Sequence, residues 1–334
     1  MSTLFVLTIF IVLGAILFDF INGFHDTANA VATAVSTKAL TPRQAITLAA
    51  FMNIIGALSF TGVAKTISSG IVDPFKLQNG SLVIIAALLA AICWNLITWY
   101  FGIPSSSSHA IIGAIAGSAI VASGVHAVNF KGFLKIIESL IISPILAYAL
   151  GYIVFLIIKL IFRNLDLMKT NRRFRYVQIV TAALQAYTHG TNDAQKSMGI
   201  ITLALLTGGY ISTDNIPLWV QLSCAIAMGL GTFVGGWRII KTVGSKLMKI
   251  RPVHGVAADI TGASIIFTAT MIHLPVSTTH VISSAVLGVG SSQRMKGVQW
   301  KTAQRIIITW FITLPLSAFL AAALYYVLHM LISL

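Results

Sequence analysis

Apolar residues fall into long runs separated by short polar breaks, at roughly 4–24, 44–64, 81–102, 108–122, 133–161, 177–187, 197–209, 217–240, 253–274, 281–290 and 304–333. A helix that crosses a bilayer takes about 20 apolar residues. Several runs reach that length, which predicts an all-α integral membrane protein. Others are too short to cross. Those at 108–122 and 281–290 each follow a proline and a cluster of hydroxyl residues. Short, interrupted segments at matching places in two halves mark a transporter site built from broken or re-entrant helices.

The halves match in order and spacing. Gly23-Phe24-His25-Asp26-Thr27 aligns with Gly190-Thr191-Asn192-Asp193-Ala194, 167 residues later. Pro104-Ser105-Ser106-Ser107-Ser108-His109 aligns with Pro275-Val276-Ser277-Thr278-Thr279-His280, 171 residues later. Lys65-Thr66 and Lys241-Thr242 form a weaker pair between them. The expected organisation is a first transmembrane repeat over 1–162, a basic linker over 163–176 and a second repeat over 177–334.

Composition sharpens this picture. Hydrophobic residues make up 57% of the chain and charged residues 9%, with a mean hydropathy of +0.91; a soluble domain carries about 25% charged residues. Lipid is therefore the expected solvent. The 22 Lys and Arg outnumber the 8 Asp and Glu, but most of them sit in short breaks, as in Arg163, Lys169, Arg172, Arg173 and Arg175. That is the distribution of cytoplasmic loops and not of a folded nucleic-acid-binding face.

Repeat-equivalent breaks carry unequal positive charge. Lys65, Asp73 and Lys76 correspond to Lys241, Lys246, Lys249 and Arg251. Lys131 and Lys135 correspond to Arg294, Lys296, Lys301 and Arg305. Lys38 and Arg43 correspond to a segment without cations. Equivalent loops then lie on opposite sides of the membrane, so the repeats are inverted. Segments 38–43, 163–175, 241–252 and 294–305 fall in the cytoplasm, and both termini fall outside the plasma membrane. No small-residue cleavage site follows the first apolar run, which is expected to stay as a helix. Cys93 and Cys224 are isolated within apolar stretches and imply neither a disulfide framework nor a metal site.

Four acids stand within or against apolar runs: Asp19, Asp26, Asp193 and Asp259. Each costs about 2.5–3.5 kcal/mol at the bilayer centre unless compensated by a cation, a proton or a lysine. Asp26 and Asp193 are repeat-related and lie in Gly- and Asn-bearing stretches, which can break a helix and expose carbonyls. With Asn29 and Asn192 they offer hard oxygen ligands for a small cation. Lys196 either pairs with one of these carboxylates or helps to hold an anion, and Gln195 beside it both donates and accepts. Asp19 and Asp259 are as suited to a structural or relay role as to ligation.

The hydroxyl clusters point to an anion. Pro104 and Pro275 precede two short helices whose first N–H groups lack intrahelical partners. Their positive dipole ends, with Ser105, Ser106 and Ser107 facing Ser277, Thr278 and Thr279, would cradle a tetrahedral oxyanion. No arginine stands at either cluster, so cations bound at Asp26 and Asp193 are expected to supply the positive charge. His25, His109, His189 and His280 adjoin these motifs; hydrogen-bonded packing and proton relay are the two roles open to them.

At these motifs the chain resembles the inorganic phosphate transporter (PiT) family. The run from Asn22 to Ala30 (Asn-Gly-Phe-His-Asp-Thr-Ala-Asn-Ala) is similar to the first family signature, the run from His189 to Gly199 to the second, and Pro275–His280 to a further family element. The resemblance covers nearly the whole chain. It implies inverted repeats, re-entrant hairpins and phosphate symport driven by sodium or protons. The departures are His25 where an Asn is frequent, Asn53 where many members carry Glu, and Asp259 where some do.

The expected function is therefore secondary active symport of inorganic phosphate coupled to sodium. Phosphate falls to Ser105, Ser106, Ser107, Ser277, Thr278, Thr279 and Gln195, and sodium to Asp26, Asn29, Asn192 and Asp193. Proton coupling through the same carboxylates is the alternative, and a passive anion channel is less favoured because mid-membrane acids line such a pore poorly. No nucleophile–base–orienter set or nucleotide-binding loop suggests an enzyme, and no cofactor is implied. A homodimer is compatible with the sequence but not required by it.

Overall fold

The computed structural model describes residues 3–73, 76–77, 79–163 and 167–332. Among them every regular element is helical. The first half comprises α1 (Thr3–Ser36), α2 (Pro42–Ala57), α3 (Gly62–Gly70), α4 (Gly80–Phe101), α5 (Ser107–Ser123) and α6 (Phe130–Ile161). The second comprises α7 (Leu167–Thr207), α8 (Leu218–Val234), α9 (Trp237–Lys241), α10 (Pro252–Met271), α11 (Thr278–Arg294) and α12 (Trp300–Ile332). The elements correspond one to one. Pro144 inside α6 and Pro315 inside α12 sit at the same repeat offset as the hydroxyl clusters.

Four helices, α1, α4, α6 and α12, are long and apolar enough to cross a bilayer. Two bent pairs pass the same test together: α2 with α3, bent by 69°, and α8 with α9 and the π turn after it, bent by 63°. These are repeat equivalents. The short runs expected to form half-helices are α5 and α11, each 17 residues long. The segment expected as a linker is helical from Leu167 onward, as the start of α7; its residues 164–166 lie outside the described residues.

The halves exchange helices. α2 of the first half packs on α7 of the second, and α8 of the second packs on α1 of the first. Likewise α5 packs on α12 and α11 on α6. Glycines allow these approaches: a Cβ at Gly56 would collide with the Tyr187 carbonyl, and one at Gly231 with that of Phe20. Gly117 meets Ala318 and Gly288 meets Tyr148 in the same way.

The packing leaves two apolar cores with a polar belt between them. One core holds Ile11, Phe18, Ile21 and Phe24 of α1 with α4, α5 and the end of α7. The other holds Ala28, Val31 and Ala32 of α1 with α10, α11 and the start of α12. Asn22, His25, Asp26, Thr27 and Asn29 fall at the seam and are all buried. Outside, large apolar side chains such as Phe10, Ile145, Phe311 and Phe319 are more than half exposed, as on a surface solvated by lipid.

Candidate functional site

Each hydroxyl cluster begins a helix in the manner its residues dictate. α4 ends at Gly102 with φ +64°, and Pro104 cannot continue it. Ser106 then caps α5, its hydroxyl accepting from His109 N at 3.1 Å. In the second half His273 takes the left-handed turn at φ +60°, Pro275 follows, and Ser277 caps α11 by accepting from His280 N at 3.3 Å. The two N-termini enter the polar belt from opposite halves.

Helices α1 and α7 bring the carboxylates to them. Ser107 Oγ donates to Asp26 Oδ2 at 2.5 Å, and Thr279 Oγ1, from the other half, donates to Asp26 Oδ1 at 3.1 Å. Asn29 Nδ2 donates to Thr279 Oγ1 at 2.9 Å. Thr278 Oγ1 donates to Asp193 Oδ2 at 3.2 Å. Ser107 and Thr278 are repeat equivalents, so each half closes its own helix N-terminus onto its own aspartate. All the predicted site residues are buried, none more than 2% exposed, so the site is closed to both sides.

Lys196 is the fixed cation of the site. Its Nζ lies 2.9 Å from Asp193 Oδ1 and donates to Ser107 Oγ at 2.9 Å. The sequence leaves Lys196 between a carboxylate partner and the anion cradle; in the structure its ammonium pairs with Asp193 and reaches the first half's cluster as well. His189 Nε2 lies 3.3 Å from Asp193 Oδ2, and His25 Nδ1 lies 2.6 Å from Asp26 Oδ1.

Three expectations are corrected. The motif stretches do not break their helices: α1 and α7 run straight through them. Gly23 and Gly190 serve close contact, with the Met228 and Asn53 carbonyls respectively, leaving no room for a Cβ. No backbone carbonyls are freed there, and the oxygens of the site come from side chains. Asn192 is engaged at the turn before α11, where Oδ1 accepts from Val276 N at 3.2 Å while Nδ2 donates to Thr270 Oγ1 and Leu274 O; it fixes that turn. Gln195 does not reach the hydroxyls. Its Oε1 accepts from Ala64 N at 3.0 Å and its Nε2 donates to Thr191 O, which anchors the start of α3.

Ser105 bonds Thr98 Oγ1 at 2.7 Å and lies 3.4 Å from His25 Nε2, so His25 and Asn192 hold equivalent turns. The rings of His109 and His280 meet at 4.5 Å, and His280 stacks on Trp310 at 4.0 Å. They pack the two half-helices against each other. Asp259 accepts from Thr33 at 2.7 Å and Thr181 at 3.0 Å, away from the clusters.

Two residues joining the site were given no role from sequence. Asn22 Nδ2 donates to Asp193 Oδ2 at 3.4 Å; its alignment with His189 is the available signal, since both stand one turn before the aspartate. Asn53 donates to Thr27 and Thr232 at 2.9 and 3.0 Å, and its Oδ1 lies 3.1 Å from His189 Nδ1. It bridges the two motifs, and nothing in its own surroundings announces that.

Known proteins resemble the chain over nearly its whole length. The phosphate transporter family profile matches residues 22–172 and again 163–321, once for each half. A probable low-affinity inorganic phosphate transporter of Bacillus subtilis (strain 168) is 70% identical over 331 residues, covering 99% of both chains. One from Rhizobium meliloti (strain 1021) is 43% identical over 314 residues, 93% of each. The solved structure of a sodium-dependent phosphate transporter superposes with a TM-score of 0.90 at 27% identity, over 97% of this chain and 99% of that one.

Proposed function

Because this chain belongs to the phosphate transporter family, and is a multi-pass membrane transporter rather than an enzyme, we propose that it imports inorganic phosphate by symport with sodium, through alternating access between its inverted halves. The observation that carries this reading is the sharing of Ser107 and Thr279. Both hydroxyls donate to Asp26, and both stand at the N-termini where a tetrahedral anion would bind. A carboxylate and a phosphate cannot share these donors while both are charged. At 4 Å their repulsion is about 4 kcal/mol at an effective dielectric of 20. A cation on Asp26 removes the conflict, so anion and cation load together.

The phosphate ligands are Ser105, Ser106, Ser107, Ser277, Thr278 and Thr279, with Lys196 supplying fixed positive charge. The sodium ligands are Asp26 and Asn29, whose Oδ1 is buried without a partner, with Asp193 joining when Lys196 turns to the anion. In this reading the repeats divide near 163–176 and both termini lie outside, which the basic breaks at 38–43, 163–175, 241–252 and 294–305 support. The solved neighbour is by its title sodium-dependent, which favours sodium here.

A second reading is proton coupling. The 2.6 Å contact between His25 and Asp26 favours it, because that pair can hold a proton where the sodium would sit. Labelled-phosphate uptake into proteoliposomes separates the readings. Concentrative uptake under an inward sodium gradient at equal pH supports sodium. Uptake under a pH gradient alone assigns the coupling to protons. Equilibration without accumulation under either gradient refutes symport.

A further inference from the structure

Asp19 lies on α1 about two turns before Asp26 and is fully buried. Neither of its carboxylate oxygens has a hydrogen-bond partner among the described residues. The other three membrane-embedded acids differ. Asp26 has Ser107, Thr279 and His25, Asp193 has Lys196, and Asp259 has two threonines. Of the four, Asp19 alone has no hydrogen bond or ion pair within contact distance among the described residues, with Ser197 and the more distant Lys196 as its nearest compensation.

Two further buried oxygens share this condition. Asn22 Oδ1 is unpartnered one turn along the same face of α1. Ser197 Oγ is unpartnered on α7 and is the side chain facing Asp19 most directly; Asp193 and Lys196 act on it from the same helix, and Cys224 adjoins it from α8. Lys196 is committed to Asp193 and Ser107. Two carboxylate oxygens thus stand beside a hydroxyl, with an unpartnered amide oxygen one helical turn along α1, and no side-chain cation pairs with them. Oxygen-only sets of this kind hold small hard cations, and a carboxylate so placed equally takes a proton.

We propose that Asp19, Asn22 and Ser197 form a further coupling-cation site, holding one monovalent cation (a sodium ion or a proton) in the loaded transporter, separate from the site at Asp26. The proposal rests on the symport reading above. Asn22 connects the two regions: its amide oxygen belongs to this site and its Nδ2 donates to Asp193 at 3.4 Å. Loading Asp19 therefore orients a donor of the central belt.

The test uses the full-length protein in proteoliposomes with the membrane potential clamped at zero. Two readouts are compared for wild type, Asp19→Asn and Asp19→Glu. The first is phosphate counterflow with equal cations on both sides, which needs the cradle but no gradient. The second is steady-state accumulation under a tenfold sodium gradient, and separately under a tenfold proton gradient. Asn is neutral, like the loaded carboxylate, so counterflow persists in Asp19→Asn. Each coupled cation multiplies accumulation by the gradient ratio, so removing one lowers accumulation about tenfold. The arm that shows this loss identifies the cation, and Asp19→Glu restores it. Unchanged accumulation in both arms overturns the proposal. Loss of counterflow in both variants also overturns it, as that marks a packing role. Wild-type protein that neither exchanges nor accumulates phosphate shows instead that the symport reading itself fails.

Discussion

Lys196 and Ser107 are joined across the boundary between the halves, Nζ donating to Oγ at 2.9 Å. The lysine belongs to the α7 motif and the serine to the first turn of α5, and the same ammonium holds Asp193 at 2.9 Å. One fixed charge thus connects the motif of one half to the hydroxyl cluster of the other.

Removing that charge is expected to cost stability and affinity through different routes. Lys196→Met leaves Asp193 buried without its cation, a loss of about 3–5 kcal/mol. The double variant Lys196→Met/Asp193→Asn recovers most of the stability but not phosphate binding. Thermal unfolding in detergent and calorimetric phosphate titration check the two parts; recovery of both would remove Lys196 from the anion site.

Ser107→Ala strips a donor shared by Asp26 and the proposed anion. A hydrogen bond to a charged group contributes about 1.5–3 kcal/mol, so the KM for phosphate rises roughly 10- to 100-fold. Ser108→Ala is the contrast. Its hydroxyl donates to the Val276 carbonyl at 2.8 Å and to neither aspartate, and the KM is expected to change by less than about threefold on the same scale. Equal effects in uptake kinetics would contradict the geometry.

Asp26→Asn removes the carboxylate that competes with phosphate while keeping its shape. Phosphate counterflow is expected to survive and its stimulation by the coupling cation to fall to what a site other than Asp26 supplies. Counterflow that still responds to the cation as in wild type would place coupling elsewhere.

The bent arms make a pair of latches. Thr66, on α3, donates to His273 O at 2.6 Å, and its repeat equivalent Thr242 donates to Gly102 O at 2.9 Å. Each ties one half's arm to the turn preceding the other half's hydroxyl cluster. Gly62 makes room for the His273 ring, while Arg238 fills the space beside Gly102. Thr66→Val and Thr242→Val are expected to favour opposite openings. With Cys93 and Cys224 replaced, a cysteine at position 105 should become more reactive to an impermeant reagent from one face in the first variant and from the other face in the second. Reactivity from the same face in both would break the symmetry relation.

Close helix contact yields a stability prediction. Gly231→Ala forces a Cβ into the Phe20 carbonyl, whereas at Gly70 a Cβ would sit 3.5 Å from the Thr66 methyl. The first substitution is expected to destabilise by about 1–3 kcal/mol and the second by much less, as read from thermal unfolding in detergent.

The repeat, the hairpin turns and the meeting of hydroxyls with carboxylates were legible because each leaves a local mark: Pro104 and Pro275, Ser106 and Ser277 as caps, Asp26 and Asp193 inside apolar runs. Helix continuity through the motifs was not. A glycine that breaks a helix and one that admits a neighbouring backbone look alike in sequence, and only the Met228 and Asn53 carbonyls distinguish them. The destinations of Asn192 and Gln195, and the reach of Lys196 beyond a carboxylate, were hidden for another reason. Neighbours in sequence on one helix point in different directions, and their partners, Ser107 on α5, Val276 before α11 and Ala64 on α3, lie far along the chain.

The exchange of helices between halves also governs how the molecule can be made. When α1–α6 have been synthesised, α5 still lacks α12, α6 lacks α11 and α2 lacks α7. Asp26 then lacks Thr279, and Asn29 has no partner for its amide. The first half must wait in the bilayer, its polar groups uncovered, until the ribosome has delivered the second. Maturation is therefore a property of the whole polypeptide, and a chain truncated after α6 is expected to go to quality control instead of leaving half a carrier behind.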